Sequence, residues 1–159
     1  MTAAVLTVSD SAERGDREDL SGPATAKLLR EHGFEVAIVR VVGDEQHRIE
    51  QALLELSAQT LLVVTTGGTG IAERDVTPEA TRAVCERLIE GIPEKMRADG
   101  LAKTPFSVLS RAGCGVRGKT VILNLPGSPK GAVESLQSVI ENLPHTIDLL
   151  AGKTGHGKA

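Results

Sequence analysis

Short apolar runs alternate with amphipathic stretches along the chain, and this alternation predicts strands separated by helices. Apolar segments of strand length, rich in β-branched residues, lie at 3–9, 36–42, 61–65 and 120–125. The segment 36–42 is almost continuously apolar, a pattern typical of a strand that is buried on both faces of a sheet. A polar loop at 10–19 follows the first predicted strand.

Apolar residues at intervals of three and four predict the helices that connect these strands. The first helix begins at Ser21 and ends before Gly33, because a glycine just past the last turn commonly terminates a helix. The second follows Asp44 and Glu45 and presents an apolar stripe on one face. The residues of that stripe are Ile49, Ala52, Leu53 and Leu56.

The second half of the chain opens with a marked helix start. Thr77-Pro78-Glu79 combines a hydroxyl cap, a proline in the first turn and an acid near the helix N-terminus. This helix is predicted to run to about residue 89, with Ala80, Val84 and Leu88 facing inward. Further helices are predicted at 93–102, at 106–111 and from Ser128 onwards, the last one broken or kinked at Pro144.

Strands separated by helix-length segments imply parallel pairing with right-handed crossovers and helices on both faces of the sheet. The predicted fold class is therefore α/β, a three-layer α/β/α sandwich with a mostly parallel, doubly wound sheet. Residues 1–151 are assigned to one domain and residues 152–159 to a flexible C-terminal tail. In such sheets ligands bind beyond the carboxyl ends of the strands, so the loops there form the candidate site.

Composition restricts the classes of function. The chain has 159 residues, of which 40% are apolar and 25% charged, values typical of one globular domain. The net charge of −3 and the near absence of aromatic residues argue against nucleic-acid binding. No apolar run reaches the roughly 18 residues that a membrane span needs, and no signal-peptide pattern opens the sequence. We therefore expect a cytoplasmic protein without a membrane partner.

The two cysteines, Cys85 and Cys114, lie on different predicted elements and show no metal-binding spacing. They are interpreted as free thiols in a reducing compartment, with a disulfide or a catalytic thiol as the alternatives. The charged residues between 13 and 19 alternate in sign, and they predict a mobile lid or rim beside the site.

The glycine-rich segment Gly67-Gly68-Thr69-Gly70 directly follows a predicted strand. Three glycines in four positions let backbone N–H groups approach an anion closely, which predicts a phosphate-binding loop. Asp75 follows five residues later, where its carboxylate could bind Mg²⁺ beside those phosphates. The structural alternatives are a plain tight turn and an acid that merely favours the helix N-terminus.

Three further strand ends carry candidate ligands. The first strand ends at Ser9-Asp10-Ser11. Asp44 follows the second strand and could either cap the next helix or join Asp75 in a metal site. The segment 124–130 joins the last strand to its helix, so Ser128 and free N–H groups can bind an anion near the Lys130 ammonium. A structural turn is the alternative for this segment.

With these loops, the chain resembles the molybdopterin adenylyltransferase family (MogA/MoaB type), whose domain also occurs in gephyrin-like fusion proteins. The resemblance extends from about residue 5 to residue 150. It rests on Thr7-Val8-Ser9-Asp10, Asp19-Leu20-Ser21-Gly22-Pro23, Thr65-Thr66-Gly67-Gly68-Thr69-Gly70, Arg74-Asp75-Val76-Thr77-Pro78-Glu79-Ala80, Leu109-Ser110-Arg111 and Asn124-Leu125-Pro126-Gly127-Ser128-Pro129-Lys130.

The resemblance implies an enzyme of molybdenum-cofactor biosynthesis that adenylylates molybdopterin with ATP and releases pyrophosphate. By the same resemblance, Asp44 and Asp75 bind Mg²⁺ and align phosphates. The glycine loop and Ser9, Asp10 and Ser11 hold the nucleotide. The implied pterin and phosphate pockets comprise Ser110, Arg111, Asn124, Pro126, Gly127, Ser128, Pro129 and Lys130. A homotrimer and a downstream molybdenum-insertion protein as partner are implied as well.

Other functions stay open on the sequence alone. A paralogue of this family could bind molybdopterin or its adenylylated form without efficient catalysis. The same domain could also serve as a protein-interaction module, since it occurs in fusion proteins. A small-molecule phosphotransferase of another kind is a third alternative, and it would act on ATP without requiring a pterin.

Overall fold

The computed structural model of the protein describes residues 1–153. Within them, six strands form one sheet: β1 (Thr2–Val8), β2 (Glu35–Val42), β3 (Leu62–Thr66), β4 (Arg87–Leu88), β5 (Cys114–Arg117) and β6 (Thr120–Leu125). The helices are α1 (Asp10–Glu13), α2 (Ser21–Glu31), α3 (Gln46–Ser57), α4 (Thr77–Val84), α5 (Gly91–Gly100), α6 (Pro129–Val139) and α7 (Leu143–Leu150). Short 3₁₀ helices lie at Pro105–Leu109 and Ile140–Asn142. Residues 154–159, most of the predicted tail, lie outside the described residues.

The strands follow the order β2-β1-β3-β6-β5-β4 across the sheet. β2, β1, β3 and β6 run parallel, whereas β5 pairs antiparallel with β6 and β4 pairs antiparallel with β5. The predicted α/β sandwich with a mostly parallel sheet is therefore confirmed. The sequence prediction lacks β4 and β5, because β4 has only two residues and β5 is a four-residue strand that contains a glycine.

Helices cover both faces of the sheet, and alternate strand residues point to opposite faces. On one face, Val5, Val64 and Leu123 pack with residues of α2, α5, α6 and α7. On the other face, Leu6 and Val63 pack with residues of α3 and α4. All members of the apolar stripe predicted for α3 belong to this second cluster. Two aliphatic layers thus enclose one sheet and hold the loops at its carboxyl edge in place.

β2 forms an edge of the sheet, so its prediction as a strand buried on both faces is wrong. Residues 35–40 alternate between exposed and half-buried, and Val39 is 45% exposed. β-branched residues favour any pleated strand, so an apolar run alone does not distinguish an edge strand from a central one. Arg40 on this edge pairs with Glu55 of α3 at 2.7 Å.

Two predicted helices in the second half differ from the expectation. α4 ends at Val84, and Leu88 lies on edge strand β4 with 46% of its surface exposed. The prediction of an inward-facing Leu88 is wrong, because the chain leaves the helix here and extends the sheet. The segment 106–111 forms a 3₁₀ helix at Pro105–Leu109, capped by the Thr104 side chain, and not an α-helix.

The last helix breaks before the predicted position. α6 ends at Val139, a 3₁₀ turn follows, and Pro144 lies in the first turn of α7. Proline is tolerated there because the first N–H groups of a helix have no acceptor within it. The loop predicted at 10–19 begins with the short helix α1, which Ser9 caps.

The two cysteines are free, as predicted, and they lie on opposite faces of the sheet. Cys114 belongs to the cluster beneath α2, α5 and α6, whereas Cys85 packs against the cluster beneath α3 and α4. Burial raises the pKa of Cys85 to about 11 and that of Cys114 to about 12. Neither thiol therefore ionises readily at neutral pH, which argues against the catalytic-thiol alternative. Within residues 1–153, no helix combines the length and apolar character needed to cross a membrane.

Candidate active site

The loops at the carboxyl ends of β1, β2, β3 and β6 enclose a cleft of about 550 Å³, called the first cleft below. The chain leaves β1 and β3 toward opposite faces of the sheet, since α2 packs on one face and α4 on the other. Such a switch point opens a crevice between neighbouring strands. Ten of the predicted binding residues line it: Ser9, Asp10, Ser11, Asp44, Gly67, Gly68, Asp75, Gly127, Ser128 and Pro129.

Gly67 and Gly68 turn the chain at the base of the first cleft in a conformation that other residues rarely adopt. Their φ angles are 93° and 67°. A Cβ on Gly67 would collide with the carbonyl oxygen of Val8, and a Cβ on Gly68 with the hydroxyl of Thr77. That hydroxyl donates to the Gly67 carbonyl at 2.9 Å, and the Thr77 N–H donates to the Gly68 carbonyl at 3.1 Å. Glycine is required here because β1, the loop and α4 approach one another so closely.

Asp44 presents its carboxylate to the first cleft from the end of β2. The backbone N–H of Asp10 donates to Asp44 Oδ2 at 2.9 Å. Partial burial raises the pKa of Asp44, the charges of Asp10 and Asp75 raise it further, and the hydrogen bond from Asp10 opposes them. Helix α3 has no side-chain cap, so the alternative that Asp44 caps this helix is excluded.

Asp75 reaches the same cleft from the loop that precedes α4. Its Oδ2 accepts a hydrogen bond from the N–H of Ala72 at 2.9 Å, and α4 has no side-chain cap. Among residues 1–153, no group of three or more His, Cys, Asp or Glu side chains could hold a metal ion by itself. One or two carboxylates suffice for Mg²⁺ that arrives with substrate phosphates. The pair Asp44 and Asp75 therefore fits Mg²⁺ shared with a ligand.

The N-terminus of α6 forms another wall of the first cleft. Ser128 caps this 11-residue helix, and its Oγ accepts a hydrogen bond from the N–H of Gly131 at 3.1 Å. A Cβ on Gly127 would lie 3.3 Å from the Cα of Gly67, so the helix start lies against the glycine loop. Pro129 has no N–H and the Gly131 N–H is bonded to Ser128, so the Lys130 N–H is the first-turn donor that can bind an anion beside that loop. The Lys130 side chain is exposed and lies outside the lining of this cleft.

A second cleft, of about 480 Å³, lies between α5, the 3₁₀ helix at Pro105–Leu109 and α6. Its lining includes the apolar side chains of Pro93, Met96 and Phe106. The predicted residues Ser110 and Pro126 line this cleft, and Ser128 lines both clefts. The two clefts therefore share a wall at the start of α6.

Other predicted binding residues lie outside both clefts. Asn124 is fully buried, and its Nδ2 donates to the hydroxyls of Thr65 at 3.0 Å and Thr81 at 2.8 Å. Its Oδ1 accepts a hydrogen bond from the N–H of Gly113 at 3.1 Å, so the amide serves the fold. The other predicted binding residues that line neither cleft are Thr69, Gly70, Arg111 and Lys130.

Three arginines line the first cleft although none was among the predicted binding residues: Arg14, Arg17 and Arg74. Arg17 lies on the charged loop after α1, which forms part of the cleft rim as predicted, and Arg74 directly precedes Asp75. The positive charge of Arg74 lowers the pKa of Asp44 and so partly offsets the effect of burial. Asp19 anchors the charged loop after α1 to its neighbours. Its carboxylate accepts hydrogen bonds from the Thr7 hydroxyl at 2.8 Å and from the Gly22 N–H at 3.0 Å.

Known proteins are similar to this chain in sequence and in architecture. The family model described as "Probable molybdopterin binding domain" matches residues 4–145. Molybdopterin adenylyltransferase of Helicobacter pylori is 43% identical over 152 residues, which is 93% of this chain and 86% of that protein. The Escherichia coli protein of the same name is 39% identical over 165 residues, covering 93% of this chain and 84% of that protein.

A solved structure agrees with these matches. The molybdopterin biosynthesis enzyme MoaB of Thermus thermophilus has a TM-score of 0.89 to this chain at 48% identity, and the match covers 96% of this chain and 97% of that one. Because the family model and these relatives cover nearly the whole chain, it belongs to the molybdopterin-binding domain family of molybdenum-cofactor biosynthesis.

Proposed function

We propose that the chain is a molybdopterin adenylyltransferase, the activity named for its relatives from Helicobacter pylori and Escherichia coli. The observation that carries the proposal is the convergence of Asp44, Asp75, the glycine loop and the N-terminus of α6 on one cleft. In the proposed reaction, a terminal phosphate oxygen of molybdopterin forms a bond to the α-phosphorus of ATP. The bond from that phosphorus to the β-phosphate oxygen breaks, and pyrophosphate leaves.

The first cleft has the chemistry of a site for a nucleotide with its cation. The carboxylates of Asp10, Asp44 and Asp75 line it and would repel a bare triphosphate. A triphosphate that arrives with a divalent cation removes this repulsion, and the Arg17 and Arg74 side chains can pair with its outer oxygens. The cleft therefore favours Mg-ATP over free ATP.

Asp44 and Asp75 are the residues that would hold Mg²⁺ together with the phosphates. When bound, Mg²⁺ supplies charge neutralisation at the reacting phosphates, which is the main requirement of phosphoryl-group chemistry. The protein positions the two carboxylates through backbone hydrogen bonds. The Asp10 N–H holds the Asp44 carboxylate, and the Ala72 N–H holds the Asp75 carboxylate.

The second cleft is the proposed place for the pterin. Its apolar side chains, including Met96 and Phe106, can cover a flat ring, and the serine hydroxyls around them can orient its polar edge. The N-terminus of α6 lies where the two clefts meet, so the Lys130 N–H and the Ser128 hydroxyl would hold the terminal phosphate of molybdopterin. This arrangement directs the phosphate toward a nucleotide in the first cleft.

The family resemblance supports a cytoplasmic homotrimer that passes its product to a downstream molybdenum-insertion protein. Sedimentation equilibrium of the purified protein tests the trimer, since the fitted mass should be three times that of one chain. A fitted mass of one or two chains would contradict it.

The decisive experiment combines purified protein, molybdopterin, ATP and Mg²⁺ and measures adenylylated molybdopterin. Wild-type protein should form product, and Asp75→Ala and Asp44→Ala should lose about 100-fold or more of the rate. The matched control is Glu45→Ala, which removes an exposed acid next to Asp44 that does not line the cleft. This control should retain the wild-type rate.

The other outcomes identify the alternatives. Tight pterin binding without product would indicate a binding paralogue of the family. Turnover of ATP without any pterin requirement would indicate a different phosphotransferase. If the wild-type protein shows neither adenylylation activity nor affinity for the pterin, the proposed enzyme is overturned. The protein-interaction module is then the alternative that remains.

A further inference from the structure

Arg111 contacts the end of the glycine loop and lines neither of the two clefts. Its Nε donates to the carbonyl oxygen of Gly70 at 2.8 Å, and its Nη2 donates to the carbonyl oxygen of Asp75 at 2.6 Å. The remaining face of the guanidinium forms an ion pair with the Glu79 carboxylate on α4. The Arg111 backbone N–H adds a hydrogen bond to the Thr69 carbonyl at 2.8 Å.

These contacts hold both ends of one exposed segment. Residues 71–74 connect the glycine loop to Asp75, and all four are exposed to solvent. Arg111 binds the carbonyl of the residue before this segment and the carbonyl of the residue after it. One guanidinium group thus sets the separation of Gly70 and Asp75, which lie on either side of an otherwise exposed turn.

We propose that Arg111 is a positioning residue that fixes the Asp75 carboxylate relative to the glycine loop. This inference rests on the proposed function, in which Asp75 and that loop act on the same phosphates. It replaces the expectation that Arg111 binds the pterin or its phosphate directly. Arg111 does not line the first cleft, in which the nucleotide would lie.

Arginine suits this position better than lysine because of its geometry. The planar guanidinium presents donors in several fixed directions and can serve two carbonyls and a carboxylate at once. A lysine ammonium is a single compact charge, so it could pair with Glu79 and still leave one or both carbonyls without a donor. Arg111→Lys therefore keeps the charge and removes the fixed geometry.

The test measures Arg111→Lys in the adenylylation assay and in hydrogen exchange. We expect kcat to fall about 10- to 100-fold, as is typical when reacting groups are misplaced by about 1 Å. The KM for molybdopterin should stay within about twofold of wild type, because Arg111 touches neither cleft. Amide exchange over residues 70–75 should become faster, whereas exchange in the core strands should stay unchanged.

Arg30→Lys is the matched control, since Arg30 is an exposed arginine of α2 that lines neither cleft. Glu79→Gln is a second variant: it keeps Arg111 but weakens the ion pair that orients it, and it should show a smaller change in the same direction. Thermal unfolding confirms that each variant is folded. Should Arg111→Lys fail to fold, Glu79→Gln carries the test alone.

Two results would overturn the inference. Wild-type kcat and wild-type exchange at 70–75 in Arg111→Lys would show that the guanidinium positions nothing. A large rise in the KM for molybdopterin at unchanged kcat would show direct ligand binding. If wild-type protein forms no product, the proposed function fails, whereas hydrogen exchange and calorimetric Mg-ATP affinity of the two proteins still decide the role of Arg111.

Discussion

Asp10 and Asp44 exchange two hydrogen bonds, each through its backbone N–H to the carboxylate of the other. Asp10 N–H donates to Asp44 Oδ2 at 2.9 Å, and Asp44 N–H donates to Asp10 Oδ1 at 2.8 Å. The pair joins the end of β1 to the end of β2, and it places two like charges beside the same cleft. The backbone donors offset part of the repulsion, so the geometry of Asp44 depends on Asp10.

Asp10→Ala should therefore cost stability and activity together, because it leaves the Asp44 N–H without its acceptor. We expect a loss of about 1–3 kcal/mol in the free energy of unfolding. Asp10→Asn keeps an oxygen acceptor at the same place and should lose much less. Urea unfolding followed by circular dichroism measures both variants, and equal losses for Ala and Asn would contradict this account.

Asp44→Asn should stabilise the metal-free protein near neutral pH while it abolishes adenylylation. The fold raises the pKa of Asp44, so the protonated form is favoured and ionisation of this carboxyl opposes folding. The protonated Asp44 carboxyl therefore adds to the free energy of unfolding at pH values below the pKa that it has in the unfolded chain. This contribution is lost as the pH rises through the pKa that Asp44 has in the folded protein. Removing the charge should raise Tm at pH 7 in the presence of a chelator.

The control for that prediction is Glu45→Gln, which removes a neighbouring charge from an exposed position. Its Tm should remain close to that of wild type. The advantage of Asp44→Asn should also shrink when the pH is lowered toward the range in which Asp44 is protonated. A Tm below wild type for Asp44→Asn in chelator would show that the charged form is favoured by the fold.

Gly68→Ala should be far more damaging than Gly118→Ala, although both glycines have positive φ angles. A Cβ on Gly118 meets no atom within 4 Å, so only backbone strain of about 1 kcal/mol is expected. A Cβ on Gly68 also collides with the Thr77 hydroxyl, which raises the expected loss to about 2–5 kcal/mol. Equal unfolding free energies for the two variants would refute the close approach described for the loop.

Cys85 and Cys114 should react slowly with a thiol reagent in the native protein and rapidly after unfolding. Burial raises the pKa of Cys85 to about 11 and that of Cys114 to about 12, so little thiolate is present at neutral pH. The sheet also separates the two side chains, so mild oxidation should leave both thiols free. A disulfide within the native chain, detected by mass spectrometry, would be inconsistent with this placement.

The sequence predicted the parallel part of the sheet because its strands are apolar, short and separated by amphipathic helices. It could not reveal that β2 lies at an edge, since valines and isoleucines suit edge and central strands alike. Leu88 was misplaced for a related reason: a helix pattern continues through it, yet the chain leaves α4 at Val84 to form an edge strand.

The candidate site was predictable where loops follow parallel strands, because topology brings those loops to one edge. Asp44 and Asp75 lie in the first cleft for that reason. The roles of Asn124 and Arg111 depend on partners that are distant in the sequence, such as Thr81 and Gly70. No local pattern distinguishes a polar side chain that serves the fold from one that faces a ligand.

The wall shared by the two clefts at Ser128 has a consequence for how the product leaves. A product with a pterin at one end and an adenylyl group at the other would occupy both clefts at once. Release of one end would leave the other end bound, and the freed end would rebind at a high local concentration. In the proposed arrangement such a molecule would escape more slowly than either substrate, so the rate of product release would limit turnover.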